Sequence, residues 1–312
     1  MISTAFVLGA GLGTRLRPLT EYRPKPLIPV CNRPLIAYAF DHLLDHGVQR
    51  FVVNTHWRAE AYGREFPTGS YRRAPIALRH EAPEVLETAG GIKNVEDLLG
   101  NEPFIVYNGD VLCDFSLEPL IEHHAASGNE VTLALRSHGG PLQVAMDDAT
   151  GRVTDLRQTL SPESESRFLF TGIYVVNPEF LARIPAATKI SVVPLFLDMI
   201  RSGAKLGGVI CDDGNWWDLG SRAQYLAVHR FFAERAALAG APPWIAVGAE
   251  VARDVELTGA TAIGTKARIG PGTRLHDTLV WPGAEIAEGS DLTGCIITGA
   301  SPVSGRHADA DL

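Results

Sequence analysis

The chain has 312 residues, with 28 Lys or Arg against 36 Asp or Glu and a formal charge of −8. That length exceeds what a single hydrophobic core usually serves, so two domains are expected; the negative balance repels nucleic acid and anionic membrane and removes both as expected partners. Cysteines at 31, 113, 211 and 295 fit neither a disulfide framework nor a zinc site, and no apolar run reaches the length of a signal segment or a membrane span, so a cytoplasmic globular protein is expected.

From Thr4 to about Ala236, short β-rich runs alternate with amphipathic stretches of roughly ten to fifteen residues, the pattern of βαβ units. The runs 4–8, 50–54 and 103–107 read as buried strands. Leu35, Ile36, Ala39, Phe40, Leu43 and Leu44 recur at helical spacing, with Gly47 as the stop, and 90–99 and 117–126 read as further helices. Residues 143–146, 151–156 and 168–176 are strand-like, with a loop at 161–166, and 206–211 is another strand. The fold class this predicts is α/β: a Rossmann-like mixed, mainly parallel sheet flanked by helices, over residues 1–238.

At 239–243 the pattern breaks with Gly240 and the pair Pro242-Pro243, and 11 of the 31 glycines fall in the last 73 residues. Apolar residues then step by six through Ile245, Val251, Leu257, Ile263, Ile269 and Leu275, and after one step of five continue through Val280, Ile286 and Leu292. A period of six is no helix, but three hexads per turn make one coil of a parallel β-helix with apolar corners stacked inward. Residues 244–300 therefore predict a short parallel β-helix of about three coils, and the polar stretch 301–312 is expected to fray.

The first strand runs into Leu8-Gly9-Ala10-Gly11-Leu12-Gly13-Thr14-Arg15. Glycines at 9, 11 and 13 clear side chains from a turn, so successive backbone N–H groups can face phosphate oxygens, although a tight turn alone would also explain them. Thr14 and Pro18 stand where a dinucleotide fold wants a small residue and an unbroken helix, which disfavours a dehydrogenase. Four prolines between 24 and 34 rule out regular helix or central strand and predict a stiff extended loop presenting Lys25.

Gly9 to Arg15, followed by Arg23-Pro24-Lys25-Pro26-Leu27, resembles the signature of the sugar-1-phosphate nucleotidyltransferases, in which a left-handed β-helix commonly follows the catalytic domain, and the resemblance implies that hand for residues 244–300. The resemblance implies transfer of a nucleotidyl group from a nucleoside triphosphate to a sugar 1-phosphate with release of pyrophosphate, in nucleotide-sugar biosynthesis for cell-envelope polysaccharide. It implies that Leu8, Gly9, Ala10, Gly11, Gly13 and Thr14 cradle the nucleotide, and that Arg15 and Lys25 are catalytic.

Asp110, in Asn108-Gly109-Asp110 at a strand end, and Asp218, after Trp216-Trp217, match the positions that hold Mg²⁺ or Mn²⁺ in the family, and such an ion takes one or two carboxylates plus substrate phosphates. Read alone, Asp110 suits a turn and Asp218 a helix cap. Glu81, Gly90, Gly91 and Asn108 match nucleotide-lining positions, with a plain helix start as the alternative for Gly91. Glu87, Thr88, Thr171 and Gly172 match sugar-side positions. Many members carry a Glu-Lys-Pro motif whose lysine grips the sugar phosphate; here the stretch is Asp155-Leu156-Arg157-Gln158-Thr159, leaving Arg157 or Lys189 as the replacement. That departure, with Leu86-Glu87-Thr88 in place of Leu-Gly-Thr, resembles the N-acetylmuramate-1-phosphate uridylyltransferase branch, whereas the β-helix is more typical of mannose-1-phosphate guanylyltransferases. GTP with mannose 1-phosphate is the first expectation, and UTP with N-acetylmuramate 1-phosphate or another hexose 1-phosphate the second. A non-catalytic nucleotide-sugar sensor and a bifunctional acetyltransferase are further readings; the tail is short for an acetyl-CoA site and suits homo-oligomerisation or regulation better.

Overall fold

A computed structural model describes residues 2–163, 165–239, 244–299 and 301–312. The predicted break therefore falls mostly outside the described residues, with Ala239 as the C-cap of the preceding helix. The chain divides into two compact units. One gathers the chain up to Leu12, Pro24–Pro26 and Ile36–Asp218; the other gathers Gly13–Arg23, Leu27–Leu35 and the chain from Leu219 on.

The first unit is built on a ten-stranded sheet in the order Val144–Asp147, Arg152–Leu156, Leu206–Ile210, Val131–Arg136, Leu169–Val176, Phe104–Asn108, Thr4–Leu8, Arg50–Thr55, Ala74–His80 and Ser70–Tyr71. Leu169–Val176, Arg152–Leu156 and Ser70–Tyr71 run against the rest, so the sheet is mixed and mainly parallel, as predicted. Thr4–Leu8 lies between two parallel neighbours, and Ala5, Phe6 and Val7 are fully buried, which explains its unbroken apolar run. Phe6, Val52, Val106, Tyr174 and Leu133 are partners in register, so they share one face of the sheet, and Phe196 packs with them in the same core.

Helix Leu35–Asp45 forms as the spacing predicts. The stretch 90–99 resolves into Glu87–Asn94 and Glu96–Leu99, and 117–126 into Glu118–Ser127 with left-handed Gly128 as its stop. Strands Ala74–His80 and Val131–Arg136 and helix Val192–Arg201 have no counterpart among the predicted elements.

In the second unit three parallel ladders form the faces of the β-helix. Trp244–Ile245 pairs through Ala262–Ile263 and Leu279–Val280 to Ile296–Ile297. Glu250–Val251 leads through Arg268–Ile269 to Glu285–Ile286, and Glu256–Thr258 through Arg274–His276 and Asp291–Thr293 to Arg306–Ala308. Ile263, Ile269, Leu275, Val280, Ile286 and Leu292 are the buried corners. Ile245 is 45 % exposed because no earlier coil covers it.

The stretch 301–312 does not fray. It adds a further coil: Arg306–Ala308 pairs with Asp291–Thr293, Val303 joins the core, the Leu312 N–H donates to the Ile296 carbonyl at 2.8 Å, and Arg306 meets Asp291 at 2.6 Å. Its polar side chains point outward while its backbone completes the ladder, so polarity alone misled the reading.

Helix Arg222–Leu238 belongs with this unit because it grips the coils. Trp281 Nε1 donates to Tyr225 Oη at 3.1 Å, Arg230 meets Asp277 at 2.8 Å and Arg222 meets Asp311 at 2.7 Å. The boundary at Asp218 rather than 238 follows from those contacts. The proline-rich segment also differs from one extended loop. Lys25–Leu27 is a single 3₁₀ turn, and Pro29–Val30 pairs with Arg33–Pro34 across Cys31 and Asn32, both at positive φ (46° and 64°), the backbone of a two-residue hairpin. At that tip Asn32 Nδ2 donates to the carbonyls of Trp244 and Ile263 at 2.9 Å each.

Candidate active site

Leu8 ends its strand opposite Asn54 on one side and Asn108 on the other, so the glycine loop leaves the sheet at the carboxyl ends of parallel strands, where open α/β sheets take ligands. Gly9 is packed, not open: a Cβ there would lie 2.6 Å from the Asn54 carbonyl and 2.8 Å from Tyr62 Oη, and its N–H donates to Asn54 Oδ1 at 2.7 Å. Ala10 is buried. Gly11 and Leu12 are exposed, and the space where a Gly11 side chain would stand is clear of protein. Among the described residues no acceptor takes the N–H of Ala10, Gly11 or Leu12. Three neighbouring donors are thus available to an anion.

Asp110 stands in the turn between Phe104–Asn108 and the short strand Val111–Cys113. The turn depends on Gly109, whose N–H donates to the Leu8 carbonyl at 3.0 Å and whose absent Cβ would lie 2.4 Å from that oxygen. Val111–Cys113 pairs antiparallel with Trp216–Asp218, and the register sets Asp218 opposite Val111, beside Asp110. Lys25 closes the group. Its ammonium lies 2.6 Å from Asp110 Oδ2 and 3.6 Å from Asp218 Oδ1, on a side chain only 7 % exposed. Two carboxylates far apart in sequence are thereby aimed at one cationic centre.

In the second unit Gly13 is left-handed, and its carbonyl accepts from the Leu16 N–H at 3.0 Å and from Thr20 Oγ1 at 2.9 Å. Thr14 begins a 3₁₀ turn that carries Arg15. The Arg15 guanidinium lies against Gly220, where a Cβ would come within 2.6 Å of Nη1.

The Nucleotidyl transferase family matches residues 4–235. The chain belongs to this family, among its sugar-1-phosphate nucleotidyltransferases. A relative from Mycobacterium tuberculosis named mannose-1-phosphate guanylyltransferase is 32% identical over 305 residues, covering 94% of this chain and 82% of its own length. Another, from Synechocystis, named UTP–glucose-1-phosphate uridylyltransferase, is 27% identical with the same coverages. The solved structure of the inositol-1-phosphate CTP transferase from T. maritima shares the fold, with a TM-score of 0.61 at 18% identity over 72% of this chain and 91% of that one.

In this nucleotidyltransferase the remaining candidates fall into three groups. Glu81 is buried at 1 % exposure, with Oε1 accepting from Asn54 Nδ2 at 2.7 Å and Oε2 from the Leu86 N–H at 2.8 Å. Gly91 packs on that pair, and Gly90 packs on the Thr188 carbonyl, 2.3 Å from where a Cβ would stand. Both glycines therefore make room for protein. The segment at 188–190 is strapped to 86–90 by the bonds Ile190 N to Leu86 O and Ala89 N to Ile190 O, and the Thr88 hydroxyl accepts from the Val192 N–H at 2.8 Å. This brings Lys189 to Glu84, at 3.1 Å; Glu87, at the start of the helix, is exposed. Glu87 holds φ 60°, the left-handed region, at the position where the resembling motif has glycine.

On the opposite strand, Gly172 at φ 82° breaks the register of Leu169–Val176 and abuts the Asn108 side chain. The Thr171 hydroxyl is buried and donates to the Ala134 carbonyl at 2.8 Å, and the Thr171 carbonyl accepts from Trp216 Nε1 at 3.0 Å. Arg157 is exposed at φ 58° and bonds Gln143 through its backbone; no described contact brings it to Lys189 or Asp110. Asp155 accepts from the N–H groups of Thr159, Leu160 and Ser161, so the stretch matching Glu-Lys-Pro is a capped turn.

Sequence reasoning missed Asn54, Gly109 and Arg136. Arg136, 2 % exposed, donates to the carbonyls of Cys211, Asp212, Asp213 and Gly214 at 2.8–3.2 Å and so holds the loop that delivers Asp218. An Arg or Asn ending a buried apolar strand was the available signal. The cysteines take no part: burial pushes the thiols of Cys31 and Cys113 up to about 12 and that of Cys211 to about 11, far from the reactive thiolate. No described helix is long and apolar enough to cross a membrane.

Proposed function

We propose that the chain transfers a guanylyl group from GTP to mannose 1-phosphate, releasing pyrophosphate, with a divalent cation held by Asp110 and Asp218. The M. tuberculosis relative's name supports that donor and acceptor. The observation that carries the chemistry is the Lys25 ammonium lying within ion-pair range of both carboxylates.

The donor set fits Mg²⁺ or Mn²⁺. Two carboxylates, 31 % and 32 % exposed, offer hard oxygens on one side of a shared position and leave the other ligands to water and substrate phosphate. Among the described residues no group of three or more acidic, His or Cys side chains assembles to hold a metal unaided, which suits an ion completed by its substrates. When bound, it supplies neutralisation of phosphate charge as a Lewis acid.

The chain's own groups do the rest. The N–H groups of Ala10, Gly11 and Leu12 donate to phosphate oxygens, and Arg15, on the strength of the motif, to the departing pyrophosphate. Lys25 meets the charge that grows at the α-phosphate. A phosphate oxygen of the sugar phosphate attacks that phosphorus in line as the bond to pyrophosphate breaks, so no side-chain nucleophile is required. By the motif, Asn108 meets the nucleotide and Gly172, which abuts its side chain, the sugar, while Glu87, Thr88 and Lys189 offer polar groups for the acceptor.

Glu87, in place of glycine, and the missing Glu-Lys-Pro lysine favour a second reading, uridylyl transfer to N-acetylmuramate 1-phosphate or another hexose 1-phosphate, and the Synechocystis relative supports uridine as donor base. A matrix of nucleoside triphosphates against sugar 1-phosphates, read as pyrophosphate with and without Mg²⁺, separates the two. Silence across the whole matrix favours a nucleotide-sugar sensor. Asp110→Ala should cost roughly a hundredfold or more in rate; near-normal turnover by the folded variant would refute the metal assignment.

A further inference from the structure

We infer that Asn54 and Glu81 are a positioning pair that sets the glycine loop and the start of the Glu87–Asn94 helix together through a hydrogen-bond chain of fixed polarity. The inference rests on the reading of the loop as the triphosphate cradle. Asn54 Oδ1 accepts from the Gly9 N–H at 2.7 Å, Asn54 Nδ2 donates to Glu81 Oε1 at 2.7 Å, and Glu81 Oε2 accepts from the Leu86 N–H at 2.8 Å. Tyr62 Oη donates to the Gly9 carbonyl at 2.9 Å, so both polar groups of Gly9 are held from the same side.

Asn54 and Glu81 are each 1 % exposed and Tyr62 is fully buried, so none is placed to touch a ligand. With Gly9 fixed inward, the next three N–H groups, which no described acceptor takes, are left for a ligand. Gly91 completes the device, since a Cβ there would come within 2.8 Å of Asn54 Nδ2 and 2.9 Å of Glu81 Oε1. The carboxylate also sits at the N-terminal end of the helix, where negative charge is favoured.

The polarity can be tested because it can be reversed. Asn54→Asp sets oxygen against oxygen at Glu81, and Glu81→Gln sets its amide against the donor of Asn54 or of Leu86. With both changes, the new carboxylate accepts from Gly9 and from the new amide, whose oxygen accepts from Leu86. Every bond is restored and the net charge is kept.

The first readout is hydrogen exchange of the peptide containing Gly9 in the ligand-free chain, which needs no substrate. Each single variant should speed exchange at Gly9 by roughly tenfold, and the double variant should return it. The second is kcat/KM for the triphosphate, measured well below the unfolding midpoint: each single change should cost up to roughly a hundredfold, with recovery in the double variant. A merely structural pair would lower the midpoint and leave kcat/KM of the folded enzyme unmoved. If a single variant does not fold, Tyr62→Phe removes one hydroxyl from the same peptide group and should shift exchange and kcat/KM in the same direction. Parental exchange and kcat/KM in the single variants, or a double variant no better than the poorer single, would overturn the assignment. Exchange that follows the predicted pattern in a chain inactive with every triphosphate would uphold the pair and overturn the transferase reading instead.

Discussion

Lys25→Met removes one ammonium and keeps most of the apolar stem, so it isolates the charge. The shorter of its two ion pairs is 2.6 Å. Unit charges at that distance attract by about 6 kcal/mol at an effective dielectric near 20. Both aspartates are about a third exposed, however, and water recovers much of that attraction once the partner is gone. The net loss of folding stability is then about 1.5–3 kcal/mol, the range for a hydrogen bond to a charged group. The effect on turnover should be larger, because solvent does not replace a preorganised cation at a site closed by substrate: a hundred- to thousandfold fall in kcat, roughly 3–4 kcal/mol. Scanning calorimetry reads the first quantity, and steady-state pyrophosphate release at saturating substrates and Mg²⁺ reads the second. A folded variant with kcat within about threefold of the parent would refute the assignment of Lys25 to the reacting phosphate. Equal losses in stability and in activation free energy would mark it as a strut between two strands.

Arg136→Lys keeps the charge and loses the planar fork that spans four carbonyls, so it should lower stability by about 1–3 kcal/mol and raise the Mg²⁺ concentration needed for half-maximal rate as Asp218 loses its register; unchanged Mg²⁺ dependence would sever Arg136 from the site. Burial holds His42 and His229 down to about 4, and the Cys31 N–H donates to His229 Nε2, which must stay unprotonated. The unfolded chain takes up those protons near pH 6.5 and the folded chain near 4, so stability is complete above pH 6.5 and falls between 6.5 and 4 by about 3 kcal/mol per histidine. His229→Gln should flatten half of that slope in calorimetric midpoints, and a midpoint independent of pH from 7.5 to 5 would contradict it. Glu87→Gly relieves left-handed backbone at an exposed position and should stabilise by about 1 kcal/mol. A rise in the KM for sugar phosphate with no change in the KM for triphosphate would place the lost carboxylate on the acceptor side; equal change in both would not.

What could be read from the chain depended on whether the cause was local. The six-residue period is visible because each β-helix corner stacks on the corner one coil earlier, so the same demand repeats at fixed intervals; even the single five-residue step at Val280 survives as the register Ile263 to Val280. The final coil escaped because it sends one buried apolar side chain, Val303, into the core, with Ala310 and Leu312 only partly buried, so the earlier pattern of apolar corners is not carried on. Asp218 could be named only through the motif, since its place beside Asp110 is created by a two-strand ribbon whose halves are a hundred residues apart and whose incoming loop is held by Arg136. The glycines are the sharper case. A glycine announces that a side chain would not fit but is silent about what occupies the space. Gly9 reads as a phosphate turn or a plain tight turn, Gly90 as an opening toward a ligand and Gly91 as that or a plain helix start, and the space at each is filled by protein: Asn54 and Tyr62, the Thr188 carbonyl, and the Asn54–Glu81 pair. At Gly11 the space is empty of protein, and its neighbours' N–H groups remain unspent. The difference between packed and open glycine is therefore set by polar groups arriving from other elements, which is why, on the proposed reading, the Asn54–Glu81 pair and not the glycine spacing decides which N–H groups are left for phosphate.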